Sequence, residues 1–189
     1  MTPEIYLVKV NSQIDKKTFQ YLLKFVQTEK QERILKQRIK QNADDMLIGE
    51  ILAKALIKKI FEIPIAKQNF LYGEHGKPYL KDFPNIHFNI SHSGEYVVSC
   101  VSDKLIGIDI QKIGKYNPDV AKRVCNEKEL KQIEESIDKA SEFTKIWTQK
   151  EAVLKREGPG FANKDVKNCL EGEMAEVEKI GDYYFSVAT

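Results

Sequence analysis

A period-two pattern marks the middle of the chain, in the stretch Leu105-Ile106-Gly107-Ile108-Asp109-Ile110-Gln111. It predicts a β-strand with the three isoleucines on one face and Gly107, Asp109 and Gln111 on the other. An acid in so apolar a strand is costly to bury unless a partner offsets its charge. A metal ion or a hydrogen bond from a backbone amide would serve as that partner. The stretch alone predicts a strand with a polar face and leaves the role of Asp109 open.

The first half of the chain predicts strand, helices and strands in that order. A strand is expected over 4–10, and the longest helical period runs over 42–61, where apolar residues recur every three or four positions. Strands over 86–90 and 96–101 follow. Because short turns join these two strands to each other and to 105–111, we expect all three to pair antiparallel.

The second half of the chain repeats this order. We expect three helices that begin at Asn117, Asn126 and Ser141, because Asn and Ser are favoured N-cap residues. The closing strands are predicted over 166–170, 174–177 and 183–187. The order strand, helices, strands therefore occurs twice, which indicates two halves of related architecture.

Composition is that of an ordinary globular protein. Of the 189 residues, 31% are charged and 42% hydrophobic, and 30 Lys and Arg stand against 28 Asp and Glu. This basic excess is too small to argue for a nucleic-acid partner. The three cysteines lack metal-ligand spacing, and no signal peptide or apolar run of about 20 residues occurs. We therefore expect a cytoplasmic protein with no membrane or nucleic-acid partner.

The most informative helix contains Trp147, Glu151 and Lys155, which form one line because positions i, i+4 and i+8 share a face. An exposed Glu–Lys pair worth a few tenths of a kcal/mol is one interpretation. Phosphoryl transfer is the other, because it combines a carboxylate for a metal ion with a fixed positive charge for the transferred group.

Two glycine-containing segments have the same ambiguity. Ser91-His92-Ser93-Gly94 is typical of a hairpin turn, but its hydroxyl and imidazole also suit phosphate oxygens. Gly76-Lys77-Pro78 is a common turn sequence, and Lys77 beside a rigid proline also suits phosphate. Other chemistries lack their patterns: there is no G-x-S-x-G, no phosphate-binding loop and no dinucleotide glycine fingerprint. The histidines, His75, His87 and His92, do not have a zinc-ligand spacing.

Four segments occur in a characteristic order: Gly76-Lys77-Pro78, Phe88-Asn89-Ile90-Ser91-His92-Ser93, Ile106-Gly107-Ile108-Asp109-Ile110 and Trp147-Thr148-Gln149-Lys150-Glu151-Ala152-Val153-Leu154-Lys155. Together they resemble the 4'-phosphopantetheinyl transferases of the surfactin-synthetase-activating (Sfp) type. The resemblance extends more weakly over nearly the whole chain.

The resemblance implies an α+β fold of two similar α/β halves in a pseudo-twofold arrangement. The expected division is residues 1–103 and 104–189, with the metal site in the second half and coenzyme A and Mg²⁺ in the cleft. The implied reaction moves the phosphopantetheine arm of coenzyme A to a serine of an apo acyl or peptidyl carrier protein and releases adenosine 3',5'-bisphosphate. Because both halves belong to one chain, we expect a monomer.

The resemblance also assigns site residues. Asp109, Glu151 and Gln111 are the expected metal ligands, and Glu151 and Lys155 the expected catalytic residues. Glu151, or a water that it positions, would be the base for the carrier serine. Lys155 would stabilise charge on the phosphoryl oxygens. The residues expected to contact coenzyme A are Lys30, Arg33, Lys77, Pro78, Ser91, His92 and Lys155.

Two positions depart from the family pattern. Many relatives have Glu in place of Gln111, and because a neutral amide is a poorer Mg²⁺ ligand, Gln111 would contact the metal either directly or through a water that it orients. Asp44-Asp45-Met46 occupies a region where a basic or hydroxyl residue near the nucleotide would be expected.

Basic residues indicate the surface that would contact the carrier protein, and Gln111 keeps an alternative function open. Carrier proteins tend to be acidic, so we expect the basic residues after the central strand to contact the carrier: Lys112, Lys115, Lys122 and Arg123. Gln111 keeps open a second function, a non-catalytic module that binds coenzyme A or a carrier protein. RNA binding by the basic segment 30–40 is disfavoured, because no stacking aromatics are interleaved there.

Overall fold

The computed structural model describes residues 2–73, 76–158 and 165–189, so His75 lies outside the described residues. The strands are β1 (Glu4–Lys9), β2 (Phe70–Tyr72), β3 (Pro78–Leu80), β4 (His87–Ser93), β5 (Tyr96–Ser102), β6 (Gly107–Lys112), β7 (Ala175–Ile180) and β8 (Tyr183–Ala188). The helices are α1 (Lys16–Leu23), α2 (Thr28–Leu35), α3 (Lys40–Phe61), α4 (Pro118–Val124), α5 (Glu127–Glu135) and α6 (Lys139–Glu157), with a 3-10 helix at Ile65–Lys67.

Two three-stranded antiparallel sheets have the same topology. The order is β1-β5-β4 in the first and β6-β8-β7 in the second, so the opening strand of each half pairs with its last strand. A separate hairpin, β2-β3, belongs to the first half. The α+β class and the two similar halves are thereby confirmed. The expectation that 105–111 pairs with the preceding strand is wrong, because β6 pairs with β8.

Side-chain oxygens of β4 join the two sheets at β6. Asn89, Ser91 and Ser93 alternate along β4 and therefore share one face. They accept three backbone N–H groups of β6: Ile108 to Asn89 Oδ1 at 3.1 Å, Ile110 to Ser91 Oγ at 3.3 Å and Lys112 to Ser93 Oγ at 3.0 Å. Because residue numbers rise together in both strands, β4 and β6 run parallel. The amides on this edge of β6 are satisfied without a backbone ladder.

The isoleucine face of β6 forms a core shared by both halves. Ile106, Ile108 and Ile110 are fully buried, and they pack with residues of β5 and β8: Val98, Cys100, Tyr183 and Val187. The opposite face contacts α6. A Cβ at Gly107 would lie 2.0 Å from the Ala152 carbonyl oxygen, so only glycine lets this helix approach the strand so closely.

Local signals placed most element ends correctly. Asn117 caps α4, and Asn126 forms a capping box at α5, as predicted. Helix α6 begins earlier than predicted, because the Asp138 carboxylate accepts the N–H of Ser141 at 2.9 Å and acts as the cap. The strand predicted over 166–170 is wrong, since these residues form turns. Within the described ranges, no helix combines the length and the apolar character needed to cross a bilayer.

Candidate active site

Ser91, Asp109 and Lys155 meet where β4, β6 and α6 come together. Lys155 Nζ lies 2.5 Å from Asp109 Oδ1 and donates to Ser91 Oγ at 3.0 Å. The Ser91 hydroxyl donates to Asp109 Oδ1 at 2.8 Å and also accepts the Ile110 N–H. Only 1% of the Asp109 surface is exposed. The partner of the buried acid is therefore a lysine from the opposite helix, which makes this a tightly coupled, charge-assisted cluster.

Gln111 also contacts Asp109. Its Nε2 donates to Asp109 Oδ2 at 3.1 Å, so both oxygens of the carboxylate accept hydrogen bonds. Gln111 is placed on the same face of β6 as Asp109, as the alternation predicted. In this arrangement the amide of Gln111 orients the acid, and its own carbonyl oxygen stays available to a further group.

Glu151 is the unpaired acid of this cluster. No hydrogen bond or ion pair joins its carboxyl group to another residue in the described part of the chain. Burial, and then the charge of Asp109, raise the pKa of Glu151 to about 7, whereas Lys155 lowers it. Two neighbouring carboxyl groups that disfavour each other's charge are the setting in which a cation is stabilising.

The donor set fits a hard divalent cation. Asp109, Glu151 and Gln111 supply oxygens, which Mg²⁺ prefers as ligands. Among the described residues, no group of three or more His, Cys, Asp or Glu is placed to hold a metal ion. These two carboxylates would therefore need oxygens from water or substrate to complete a coordination shell.

His92 points to the other face of β4, toward α3. Its Nδ1 lies 3.7 Å from Asp45 Oδ2, and Gln41 Nε2 donates to Asp45 Oδ1 at 2.7 Å. Burial lowers the pKa of His92, and Asp45 raises it. The segment Asp44-Asp45-Met46, which departs from the family pattern, therefore places only one of its acids, Asp45, beside His92. The other acid, Asp44, accepts the Ile14 N–H and contacts Lys40.

Lys30 and Arg33 project from α2 over one aromatic ring. Lys30 Nζ lies 5.0 Å and Arg33 Cζ 5.2 Å from the ring centroid of Tyr72. The Tyr72 hydroxyl donates to Glu50 Oε2 at 2.9 Å. Tyr72 and Glu50 belong to none of the sequence motifs, although an acid inside the apolar period of α3 is a signal for the second.

Lys77 joins the hairpin β2-β3 to the second half. Its Nζ donates to the carbonyl oxygens of Arg156 at 2.5 Å and Ile106 at 3.4 Å. Burial, with a smaller effect of Arg156, lowers the pKa of Lys77 to about 8. Pro78 lines an adjacent cavity of about 360 Å³ together with Tyr79 and Leu105. The structure thus gives Lys77 backbone partners and places Pro78 at a largely apolar hollow.

The basic residues expected to contact a partner are all exposed. Lys115 lies after β6, and Lys122 and Arg123 belong to α4. Lys112 ends β6, and its Nζ lies 5.7 Å from the Tyr183 ring centroid. None of the four forms an ion pair with a carboxylate in the described ranges. Their charges therefore face solvent, at the end of β6 and in the segment that follows it.

Comparisons with known proteins identify close similarities. A family model described as "4'-phosphopantetheinyl transferase, N-terminal" matches residues 13–104, and one described as "4'-phosphopantetheinyl transferase superfamily" matches residues 105–179. The 4'-phosphopantetheinyl transferase ffp of Bacillus subtilis is 30% identical over 161 residues, covering 84% of this chain and 72% of the relative. The gsp enzyme of Aneurinibacillus migulanus is 35% identical over 160 residues, covering 84% and 67%. Sfp of Bacillus subtilis strain 168 is 29% identical over 161 residues, covering 84% and 72%.

Glu151 gives a pH-dependent stability prediction. Its folded-state pKa of about 7 lies above the ordinary 4.5, so the folded protein binds this proton more tightly than the unfolded chain. The resulting stabilisation is present below pH 4.5 and is lost as pH rises through 7. We expect the free energy of unfolding of Glu151→Gln to exceed that of the wild type by about 1–2 kcal/mol at pH 8 in EDTA, and to match it near pH 4.5.

Urea denaturation followed by circular dichroism measures this difference, with Glu176→Gln on exposed β7 as the control. Adding Mg²⁺ at pH 8 should stabilise the wild type more than Glu151→Gln. A Glu151→Gln protein no more stable than the wild type at pH 8 would contradict the raised pKa.

Proposed function

This chain belongs to the Sfp-type 4'-phosphopantetheinyl transferases, and from that premise we propose its reaction in detail. It transfers the 4'-phosphopantetheine arm of coenzyme A to a serine of an apo acyl or peptidyl carrier protein, depends on Mg²⁺ and releases adenosine 3',5'-bisphosphate. One observation carries the proposal: the paired Asp109 and Lys155 stand beside the unpaired Glu151 where the two halves meet. The proposal includes a cytoplasmic monomer with halves 1–103 and 104–189.

Asp109 and Glu151 would hold the metal, and Gln111 would contact it directly or through water. A bound Mg²⁺ would neutralise charge on the pyrophosphate of coenzyme A. Lys155 has three N–H donors, of which two are used by Asp109 and Ser91. The third is available to a phosphoryl oxygen, where a fixed positive charge favours the transition state.

Glu151 is the proposed general base. Beside a bound Mg²⁺ the Glu151 carboxylate would stay ionised, so that one of its oxygens could accept the proton of the serine hydroxyl directly or through one water. The serine oxygen then attacks the β-phosphorus, and the bond from that phosphorus to the bridging oxygen breaks. The bridging oxygen leaves with the adenosine 3',5'-bisphosphate.

The remaining contacts position coenzyme A. Ser91 and His92 are proposed to contact its phosphates, and Lys30 and Arg33 its 3'-phosphate. Lys77 and Pro78 are proposed to lie by the adenine and ribose, and the cavity of about 360 Å³ beside Pro78 supports an apolar ring there. These contacts would convert binding energy into orientation of the pyrophosphate.

Intact-mass spectrometry of an apo carrier protein tests the transfer. Incubation with coenzyme A, Mg²⁺ and this protein should add one phosphopantetheine arm to the carrier. Asp109→Asn and Glu151→Gln should each slow the addition by about 10²- to 10³-fold while leaving the circular dichroism spectrum unchanged. Binding of coenzyme A without modification of any of several carriers would instead identify a non-catalytic binding module.

Charge reversal tests the carrier surface. Because rim charges mainly change association rates, Lys122→Glu with Arg123→Glu should raise KM for an acidic carrier about tenfold without changing KM for coenzyme A. The matched control reverses Lys16 and Lys17 on α1, which are equally exposed. A rise in KM for coenzyme A in place of the carrier would show that these residues serve the nucleotide.

A further inference from the structure

Two cations share the ring of Tyr72 without a carboxylate of their own. Lys30 and Arg33 lie 5.0 and 5.2 Å from its centroid, within the range of cation–π attraction. Neither side chain forms an ion pair within the described ranges. Burial and the charge of Arg33 lower the pKa of Lys30. Like charges held on one ring repel each other, so the groups around the ring decide where the two side chains lie.

Glu50 is the buried carboxylate that contacts Tyr72. It is 1% exposed and lies in the middle of α3, so it cannot reach a ligand in the cleft. Its Oε2 accepts the Tyr72 hydroxyl at 2.9 Å, whereas its Oε1 is buried without a hydrogen-bond partner among the described residues. Burial raises the pKa of Glu50 and the charge of Lys30 lowers it, while Glu50 in turn raises the pKa of Lys30.

The buried lysine of α3, Lys54, forms no ion pair with Glu50 among the described residues. Lys54 donates to the Gln68 carbonyl oxygen at 2.8 Å and lies 3.9 Å above the Phe70 ring. The Tyr72 hydroxyl is therefore the only group that hydrogen-bonds Glu50 in the described part of the chain. Among the described residues, Lys30 and Arg33 therefore lie near the Glu50 carboxylate without forming an ion pair with it.

We infer that Tyr72 is a positioning residue that keeps Lys30 and Arg33 available to a phosphate group by holding the Glu50 carboxylate. The Tyr72 ring supports both cations, and its hydroxyl satisfies the buried carboxylate, so Lys30 does not turn inward to pair with Glu50. This inference rests on the proposed function, which places the 3'-phosphate of coenzyme A at Lys30 and Arg33.

Tyr72→Phe isolates the hydroxyl because it keeps the ring. Loss of the hydroxyl leaves a buried carboxylate without its donor, and Lys30 is expected to pair with it. KM for coenzyme A should rise about tenfold, whereas kcat and KM for the carrier should stay within twofold of the wild type. With dephospho-coenzyme A, which lacks the 3'-phosphate, Tyr72→Phe and the wild type should have equal KM values.

Adding Glu50→Gln to Tyr72→Phe removes the charge that draws Lys30 inward. The double variant should therefore recover KM for coenzyme A to within twofold of the wild type, a coupling that independent sites would not show. Tyr21→Phe, on exposed α1, is the matched control and should change none of these values. Urea denaturation of each variant verifies that it is folded.

The outcomes separate the inference from the proposed function. A wild type that modifies no carrier overturns the proposed transfer reaction, whereas one that uses coenzyme A and dephospho-coenzyme A equally overturns the proposed role of Lys30 and Arg33. If Lys30→Met raises KM for coenzyme A alone but Tyr72→Phe does not, the positioning role is overturned. The positioning role is also overturned if Tyr72→Phe raises KM equally for coenzyme A and dephospho-coenzyme A. It is overturned as well if the double variant does not recover the wild-type KM for coenzyme A.

Discussion

The contact between β4 and β6 is the constraint on which the rest of the structure depends. Asn89, Ser91 and Ser93 replace a backbone ladder with three side-chain oxygens, which accept alternate amides of β6. These side-chain hydrogen bonds join two sheets of identical topology, which have no backbone hydrogen-bond ladder between them. Ser91 has a second task, because its hydroxyl also donates to Asp109 and accepts from Lys155. The junction of the halves and the proposed active site are therefore one network.

Local patterns made part of this fold predictable. The alternation of 105–111 and the helical period of 42–61 each lie within one element, and Asn117 and Asn126 act on backbone groups within three residues. The pairing of β6 was not predictable in this way, because its partner β8 lies about 75 residues later in the sequence. Short turns misled the prediction, since proximity in sequence favours antiparallel pairing but does not exclude a neighbour from another part of the chain.

The site was predictable to the extent that it lies in motifs. The family resemblance named Ser91, Asp109 and Lys155, and the structure brings these three together. The sequence left the partner of Asp109 open, because a contact between a strand and a helix 46 residues away has no local signature. Tyr72 and Glu50 lie outside every motif, and their contact spans 22 residues. Support for a site therefore extends beyond the residues that a motif identifies.

Ser91→Ala and Ser93→Ala form the most direct test of the idea that one hydroxyl joins the halves and organises the chemistry. Each variant removes one hydrogen bond to β6, which should lower the free energy of unfolding by about 1–2 kcal/mol, and Ser91→Ala should lose more because its hydroxyl has two further partners. Only Ser91 also contacts Asp109 and Lys155. The rate of carrier modification, measured by intact mass at saturating coenzyme A, should fall at least tenfold for Ser91→Ala and less than twofold for Ser93→Ala. Equal rates for the two variants would contradict the account.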